Sequence, residues 1–306
     1  MPLTGAQAAL GVSMRNAASL VQTSGELLQT FDTGGTPEGA IAAARAAMKA
    51  RVGMILGPLN AAEVAGVTAT VAGKLPVIAF TNDSAQAATG AFVFGITPAQ
   101  ATGAILRYAR SRGVRSLVAI SDGTPWTDAA AAAAKGLEGE LGLTVRRIEV
   151  RPGEAPGPAG DAPDAVLLPG AGDSLLAAAR NVRDTGIQLL GTLQALDSRP
   201  ASLEALDGAW LASPDPTRFG DFAATFVSRH GGSPGAIAAL ARDAAAIADQ
   251  LRTNATLDRD SLLAADPFPG VAGTVRFRSD GSVARELAIV VARPAGYEVV
   301  ASAAGA

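Results

Sequence analysis

The sequence contains no cysteine and a single histidine, His230. A chain without cysteine has no disulfides, no thiolate nucleophile and no cysteine ligands for a metal. Histidine-based zinc sites usually need two or more histidines, so zinc chemistry is disfavoured as well. Because no nucleophile–base pair can be assembled from these residues, we expect a protein that is not an enzyme and that needs no metal or other cofactor.

Charged residues and long apolar runs are also scarce. Charged residues make up 17% of the chain, and the formal net charge is −3. Lys and Arg are scattered, so the sequence lacks the basic patch that nucleic acid or an anionic membrane surface requires. No stretch reaches the roughly 18 consecutive apolar residues of a membrane span.

Apolar residues, in contrast, make up 48% of the 306 residues, which is typical of a well-buried globular protein. Short apolar strand patterns alternate with alanine-rich helical patterns, and this rhythm predicts parallel sheets flanked by helices, an α/β fold. Strands are predicted at residues 52–56, 76–80, 91–95, 116–121, 144–150, 164–168 and 188–191. Helices are predicted at residues 61–73, 98–112, 128–141 and 173–185.

The rhythm changes after a strand pattern at residues 210–213. Pro214-Asp215-Pro216 reads as a stiff connector. Two helical segments and a set of antiparallel strand patterns follow it, and their residues are 219–230, 234–251, 274–278, 287–292 and 297–300. A chain of this length also favours two lobes. We predict that residues 1–97 with 215–277 form lobe one, and that residues 98–214 with 278–306 form lobe two.

Polar and aromatic residues collect where predicted strands end. Asn60 follows the strand at 52–56, Asn82 and Ser84 follow the next strand, and Trp126 follows the strand at 116–121. In open parallel sheets, ligands bind beyond the carboxyl ends of the strands. Backbone groups, a hydroxyl and an aromatic wall can bind a small ligand without catalysing a reaction on it. For Trp126, the packing of a helix start is the alternative interpretation.

Other residues near strand ends have a simpler interpretation. Asp32, Asp83, Asp122 and Asp128 could do acid–base work as paired carboxylates, but aspartate in such turns is more often a cap or turn residue. Gly170-Ala171-Gly172 lacks the third glycine of a dinucleotide-binding loop, since position 175 is leucine. It is better interpreted as a tight turn from a strand to a helix.

Several segments, in their order and spacing, carry a family resemblance over essentially the whole chain. They are Pro2-Leu3-Thr4-Gly5, Asp32-Thr33-Gly34-Gly35-Thr36-Pro37-Glu38-Gly39-Ala40, Ile55-Leu56-Gly57-Pro58-Leu59, Pro76-Val77-Ile78-Ala79-Phe80-Thr81-Asn82-Asp83, Gly95-Ile96-Thr97-Pro98, Asp243-Ala244-Ala245, Gly270-Val271-Ala272-Gly273 and Phe277-Arg278-Ser279-Asp280-Gly281. The chain resembles the type I periplasmic binding proteins of the branched-chain amino-acid receptor family. Within it, the chain is most similar to the branch of substrate-binding proteins labelled penicillin-binding protein activators.

The resemblance implies two Rossmann-like lobes joined by three hinge crossovers, with a ligand enclosed between them. It implies a periplasmic location, with any export signal or lipid anchor carried by a longer precursor. It also implies that the first strand of the fold, which in the family precedes Pro-Leu-Thr-Gly, is missing here. We therefore expect an exposed sheet edge next to residues 52–56, which invites association with a neighbouring chain.

The resemblance also places the candidate ligand-binding residues. The hydroxyl that holds the ligand carboxylate in the amino-acid receptors falls on Ala61, with Asn60 beside it. The positions that hold the ammonium group fall on Asn82 and Ser84. The aromatic that closes over the ligand is matched by Trp126.

Three further positions complete this set. An aromatic in the loop after the sixth strand is replaced by Ala171, and the acid expected near residues 191–194 is missing, with Gln194 the nearest polar group. Leu10, just after the opening loop, and Ala171 are expected to contribute apolar wall.

The groups that recognise a zwitterion are thus only partly present. A buried carboxylate and a buried ammonium each need strong partners to replace water. These residues fit a weakly charged or largely apolar ligand better than an ordinary amino acid. They are equally consistent with a protein that binds no small ligand. We predict a receptor that delivers such a ligand to the membrane subunits of an ABC importer. The alternative is a structural or regulatory partner of cell-wall synthases that uses the same fold.

Overall fold

The computed structural model describes residues 1–21, 28–150, 161–170, 172–254 and 256–305. The chain forms two compact units. Unit one contains Met1–Thr97 and Thr217–Ala284, and unit two contains Pro98–Pro216 and Arg285–Ala306. The chain therefore passes between the units three times. The last passage follows residue 284, whereas the sequence analysis placed it after residue 277.

The helices and strands follow the chain in this order. The first segment of unit one contains α1 (Ala8–Ser19), α2 (Pro37–Lys49), β1 (Ile55–Leu56), α3 (Ala61–Val71), β2 (Val77–Ala79) and β3 (Phe92–Val93). The first segment of unit two contains α4 (Pro98–Ser111), β4 (Ser116–Ser121), α5 (Pro125–Gly136), α6 (Glu138–Leu141), β5 (Thr144–Glu149), β6 (Ala165–Leu168), α7 (Asp173–Val182), β7 (Gln188–Gly191), α8 (Pro200–Ala205) and β8 (Trp210–Ser213). Next come α9 (Pro216–His230), α10 (Ala236–Asn254), α11 (Arg259–Ala264), β9 (Val275–Phe277), β10 (Val283–Arg293) and β11 (Gly296–Ala304).

Unit one is built on a three-stranded parallel sheet in the order β1-β2-β3. Its helix α2 begins at a capped end: the Thr36 hydroxyl accepts a hydrogen bond from Gly39 N at 3.1 Å, and Pro37 occupies the first turn. Small side chains of α2, such as Ala40 and Ala44, pack with Val67 of α3 and Val77 of β2. The apolar side chains of α2 and α3 therefore pack together against one face of the sheet.

Unit two contains a larger mixed sheet in the order β11-β10-β8-β7-β6-β4-β5. Within this order, the neighbouring strands β8, β7, β6, β4 and β5 are parallel to one another. Strand β10 runs antiparallel to both β8 and β11. Val118, Val166 and Leu168 lie in a core that α7 covers with Leu175. Because such strands are buried on both faces, they are nearly continuous apolar runs in the sequence.

The predicted α/β class with parallel sheets flanked by helices is confirmed. Some element boundaries differ. The helix predicted at 128–141 begins earlier, at Pro125, and is interrupted at Leu137 to give α5 and α6. The strand predicted at 52–56 is reduced to Ile55–Leu56. None of the helices in the described ranges combines the length and apolarity needed to cross a membrane.

Candidate functional site

In unit one, the first candidate position is the start of α3, where Asn60 is the cap residue. Its Nδ2 atom donates to Gln7 Oε1 at 2.8 Å and to Glu63 Oε1 at 3.2 Å. Glu63, which is fully buried, also accepts the backbone N–H of Asn60 at 3.3 Å. Both amide hydrogens of Asn60 are thus engaged, so this side chain does not offer a free donor to a ligand carboxylate.

Ala61 is the first residue of α3 and is half-buried. Its methyl group has no hydrogen-bonding capacity. The N–H groups of a first helical turn have no partner within the helix. A carboxylate at this position would therefore depend on backbone N–H groups instead of a hydroxyl.

The second candidate position in unit one is the loop after β2. Asp83 holds this loop by accepting hydrogen bonds from Ala85 N at 3.0 Å and Gln86 Nε2 at 2.9 Å. The side chains of Asn82 and Ser84 are exposed, and in the described part of the chain neither has a hydrogen-bond partner. The loop therefore holds Asn82 and Ser84 at the surface of unit one with their polar groups available.

In unit two, Trp126 lies in the first turn of α5 and is half-buried. Its Nε1 atom donates to Pro169 O at 3.0 Å and to Thr192 Oγ1 at 3.0 Å. The fully buried Thr192 hydroxyl also donates to Pro169 O at 2.6 Å. These bonds connect the carboxyl ends of three neighbouring strands, β4, β6 and β7, and they fix the orientation of the indole ring.

The turn between β4 and α5 is held by Asp122. Its Oδ1 atom accepts from the hydroxyls of Thr127 at 2.7 Å and Thr124 at 2.8 Å, and from Thr124 N at 3.2 Å. Burial raises the pKa of this carboxyl, but the hydrogen bonds from Thr127 and Thr124 together outweigh burial, so its pKa lies below its ordinary value. The carboxylate stays ionised and holds the turn.

Asp128 and Asp32 have similar structural roles. Asp128 pairs with Arg147 at 2.6 Å and accepts from the Ser121 hydroxyl. Asp32 accepts from Thr4 Oγ1 at 2.7 Å and from Leu3 N at 2.8 Å, which ties the opening loop to the segment before α2. The contacts of Asp32 agree with its interpretation as a turn residue, whereas those of Asp128 tie the first turn of α5 to β4 and β5.

The remaining predicted positions are less informative. Leu10 lies in α1 and is half-buried. Gln194 is exposed in a short 3-10 helix, Leu193–Ala195, and its backbone N–H donates to Thr192 Oγ1 at 3.3 Å. Ala171 lies outside the described residues. In the ranges that the structure describes, no three His, Asp or Glu side chains cluster in a way that could hold a metal ion.

Three residues that shape these positions were not predicted from the sequence. Thr192 directly follows β7, so the rule that ligand sites lie beyond strand ends could have identified it. Gln7 and Glu63 hold Asn60 in place. The spacing of Asn60 and Glu63 is that of a capping box, which is readable from sequence, whereas the contact with Gln7 is not.

Two of the family segments meet in unit one. Asp243 of α10 is almost fully buried, at 2% exposure, and it accepts hydrogen bonds from Val271 N and Ala272 N, each at 2.8 Å. A Cβ atom at Gly270 would lie 2.5 Å from Asp243 Oδ2, so only glycine fits beside this carboxylate. The Gly-x-x-Gly segment is therefore a loop that the Asp243 carboxylate holds in place.

Comparison with known proteins places these features in a family. The profile described as periplasmic binding protein matches residues 1–297. No curated protein is significantly similar to the chain in sequence.

Several solved structures have the same fold. A protein from Rhodospirillum rubrum, assigned as a branched-chain amino acid ABC transporter, is 23% identical with a TM-score of 0.84, covering 98% of this chain and 97% of that one. A solute-binding protein of an ABC transporter from Rhodopseudomonas palustris BisB5, in complex with 3,4-dihydroxybenzoic acid, is 19% identical with a TM-score of 0.67, covering 99% and 95%.

A third structure is the branched-chain amino acid transporter substrate-binding protein LivJ from Streptococcus pneumoniae, in complex with isoleucine. It is 15% identical with a TM-score of 0.62, covering 99% of this chain and 96% of that one. The family profile spans nearly the whole sequence, and the structures share the fold of the chain over almost its full length. The chain belongs to the periplasmic binding protein family.

Proposed function

We propose that this chain is the periplasmic receptor of an ABC importer, and that it binds a small ligand that is weakly charged or largely apolar. Membership of the periplasmic binding protein family supports binding and not catalysis. The similar structures from Rhodospirillum rubrum and Rhodopseudomonas palustris come from ABC transporters, which supports the importer. The ligand class rests on the residues at the strand ends.

The start of α3 carries the argument about charge. Ala61 has no hydroxyl, and both amide hydrogens of Asn60 are donated to Gln7 and Glu63. A carboxylate loses water on burial and must find replacement partners. Loss of one charge-assisted hydrogen bond costs about 1.5–3 kcal/mol, which is about tenfold to a hundredfold in affinity. A free carboxylate is therefore disfavoured at this position.

Trp126 carries the argument about the apolar part of the ligand. Its indole N–H is already used by Pro169 O and Thr192 Oγ1, so the polar edge of the ring is satisfied. The remaining accessible surface of the ring is apolar and favours stacking or van der Waals contact. The similar structures are bound to isoleucine in one case and to an aromatic acid in another, so receptors of this fold accept both aliphatic and flat ligands.

The proposal is tested with pairs of ligands that share an apolar body, one member carrying charged groups and the other none. Native mass spectrometry of freshly purified protein first identifies any ligand that co-purifies. Calorimetry then compares leucine with isocaproamide, and benzoate with benzamide. We expect the neutral member of a pair to bind about tenfold more tightly or better. We expect Trp126→Ala to weaken binding by about threefold to tenfold, with Trp126→Phe as the conservative control.

Sub-micromolar binding of leucine that is unchanged by Trp126→Ala would contradict both the ligand class and the position of the ligand. The alternative function, a partner of cell-wall synthases, has no specific observation in its favour and stays a prediction.

A further inference from the structure

In the sheet of unit two, the connections diverge between β4 and β6. The strand order there is β7-β6-β4-β5, and the chain leaves β4 through α5 toward β5 but leaves β6 through α7 toward β7, in the opposite direction. Right-handed crossovers place α5 and α7 on opposite faces of the sheet, so the turns that precede them part and leave a crevice. We call it the β4–β6 crevice, bounded by residues 122–124 on one side and by Gly170 and Gly172 on the other.

Glycine residues form the β6 side of this crevice. A Cβ atom at Gly170 would lie 3.6 Å from the methyl carbon of Thr127, and a Cβ atom at Gly172 would lie 3.2 Å from Asp122 Oδ2. The second distance is a tight contact, so a larger residue at position 172 would crowd this oxygen atom. Gly172 is exposed and Asp122 is half-buried. The lack of a side chain at Gly172 therefore leaves open space beside Asp122 Oδ2.

The two carboxylate oxygen atoms of Asp122 differ in their contacts. Oδ1 accepts three hydrogen bonds, from the hydroxyls of Thr127 and Thr124 and from Thr124 N. Within the described ranges, Oδ2 accepts no hydrogen bond from the protein. Burial raises the pKa of this carboxyl less than the accepted hydrogen bonds lower it, so Asp122 carries a negative charge. The β4–β6 crevice thus contains an ionised oxygen atom that can accept further hydrogen bonds.

An apolar surface adjoins the same strand ends. Trp126 lies in the first turn of α5, and its Nε1 atom donates to Pro169 O, directly after β6. The indole therefore reaches from the start of α5 to the strand on the other side of the crevice. Because its N–H is already used, the ring offers only apolar surface, whereas Asp122 offers only an acceptor.

We propose that Asp122 Oδ2 determines ligand specificity by accepting a hydrogen bond from an N–H or O–H group of the ligand. This inference rests on the proposed function, and it narrows the ligand class to neutral molecules that join an apolar body to a donor group, such as a primary amide or an alcohol. The donor group lies in the β4–β6 crevice and the apolar body contacts Trp126. A ligand carboxylate in the crevice meets the negative charge of Asp122 and is repelled.

The test compares two neutral ligands that differ in the donor group alone. Benzamide and acetophenone share the ring and the carbonyl oxygen, but acetophenone has a methyl group in place of the NH2 group. Calorimetry with the whole protein should show that benzamide binds about tenfold to a hundredfold more tightly, because acetophenone cannot make the hydrogen bond to a charged acceptor. Equal affinity for the two ligands overturns the inference.

The variant Asp122→Asn reverses the chemistry at one oxygen atom. Its amide oxygen can keep the hydrogen bonds from Thr124 and Thr127, whereas its NH2 group takes the place of Oδ2 and donates instead of accepting. We expect the affinities for benzamide and acetophenone to come within about threefold of each other, and the affinity for benzoate to rise about tenfold. The matched control is Asp173→Asn, because Asp173 is exposed in the first turn of α7, next to Gly172. This control should leave the ratio of the benzamide and acetophenone affinities unchanged, and an equal change in both variants overturns the inference.

A second variant keeps the inference falsifiable if Asp122→Asn does not fold. Gly172 has a φ of −64° and a ψ of 154°, which alanine adopts without strain, so Gly172→Ala places a methyl group beside Oδ2 and should reduce the affinity ratio about threefold or more. Its control is Gly136→Ala near the end of α5, where no described atom lies within 4 Å of the added Cβ atom.

The outcomes separate this inference from the proposed function. Weaker binding of both ligands to Trp126→Ala, with an affinity ratio unchanged by Asp122→Asn and Gly172→Ala, overturns the inference and leaves the proposed function intact. Absence of binding by benzamide, acetophenone and isocaproamide contradicts the proposed function, and the inference with it.

Discussion

The contact between Asp243 and the 270–273 loop gives the most direct test of what holds unit one together. The carboxylate accepts two backbone hydrogen bonds, from Val271 N and Ala272 N, each at 2.8 Å. It lies 3.2 Å from Arg242 Nη1, whose side chain is partly exposed. We predict that Asp243→Ala and Asp243→Asn destabilise the protein strongly and to different extents.

The magnitude follows from the hydrogen bonds that are lost. A hydrogen bond to a charged group contributes about 1.5–3 kcal/mol, and a buried N–H left without a partner costs about 1–3 kcal/mol. Asp243→Ala leaves both N–H groups without the carboxylate, so we expect a loss of about 3–5 kcal/mol in the free energy of unfolding. Asp243→Asn keeps one acceptor oxygen but turns an NH2 group toward the other N–H, so we expect about 2–4 kcal/mol.

The assay is urea unfolding, with hydrogen exchange of the Val271 and Ala272 amides as a local measurement. The matched control is Asp249→Asn, because Asp249 lies on the same helix in a partly exposed pair with Arg252 and should contribute less than about 0.5 kcal/mol. A loss below about 1 kcal/mol for Asp243→Ala, with unchanged exchange in the loop, would refute this reasoning.

Two further predictions concern the strand-end loops. Trp210→Phe leaves Trp126 as the only tryptophan in the sequence. In that background, Thr192→Val removes the hydroxyl that accepts a hydrogen bond from the Trp126 indole, so we expect a shift in tryptophan emission and a loss of about 1–2 kcal/mol in the free energy of unfolding. An unchanged emission spectrum would contradict the predicted role of Thr192. For Asp32, the hydrogen bonds from the Thr4 hydroxyl and from backbone N–H groups hold its pKa below the ordinary value. A lowered folded-state pKa contributes stability above the unfolded pKa of about 3.9 that is lost as the pH falls. Asp32→Asn should therefore reduce the dependence of Tm on pH below about 5, and the same slope as in the unmodified protein would contradict this.

Local sequence patterns were sufficient to predict most of the fold. Strands such as Ser116–Ser121 and Gln188–Gly191 were predicted with their observed bounds, because apolar runs flanked by turn residues are strong local signals. The short β1 was predicted too long, because the pairing that would extend it depends on neighbours distant in sequence. Helix α1 was not predicted, since its apolar spacing is weak over Ala8–Ser19.

The candidate site was less predictable. The rule about strand ends predicts ligand contacts for Trp126, Asn82 and Ser84, and the structure leaves an indole surface and two polar side chains available there. It could not show that Asn60 is engaged by Gln7, because that contact joins residues far apart in the chain. Sequence patterns thus indicate where a polar side chain lies, whereas its hydrogen-bonding capacity depends on tertiary contacts.

The three passages of the chain between the units have a consequence for biosynthesis. Unit one needs residues 217–284 to complete its helical packing, and these emerge from the ribosome only after all of residues 98–216. Unit two in turn needs β10 and β11 from the C-terminal end. Contacts that close such long loops form slowly, because the entropy of closure must be lost before the contacts stabilise the fold. During translation the nascent chain therefore exposes incomplete cores of both units, so binding by a chaperone during synthesis should matter more here than in a protein whose domains are contiguous.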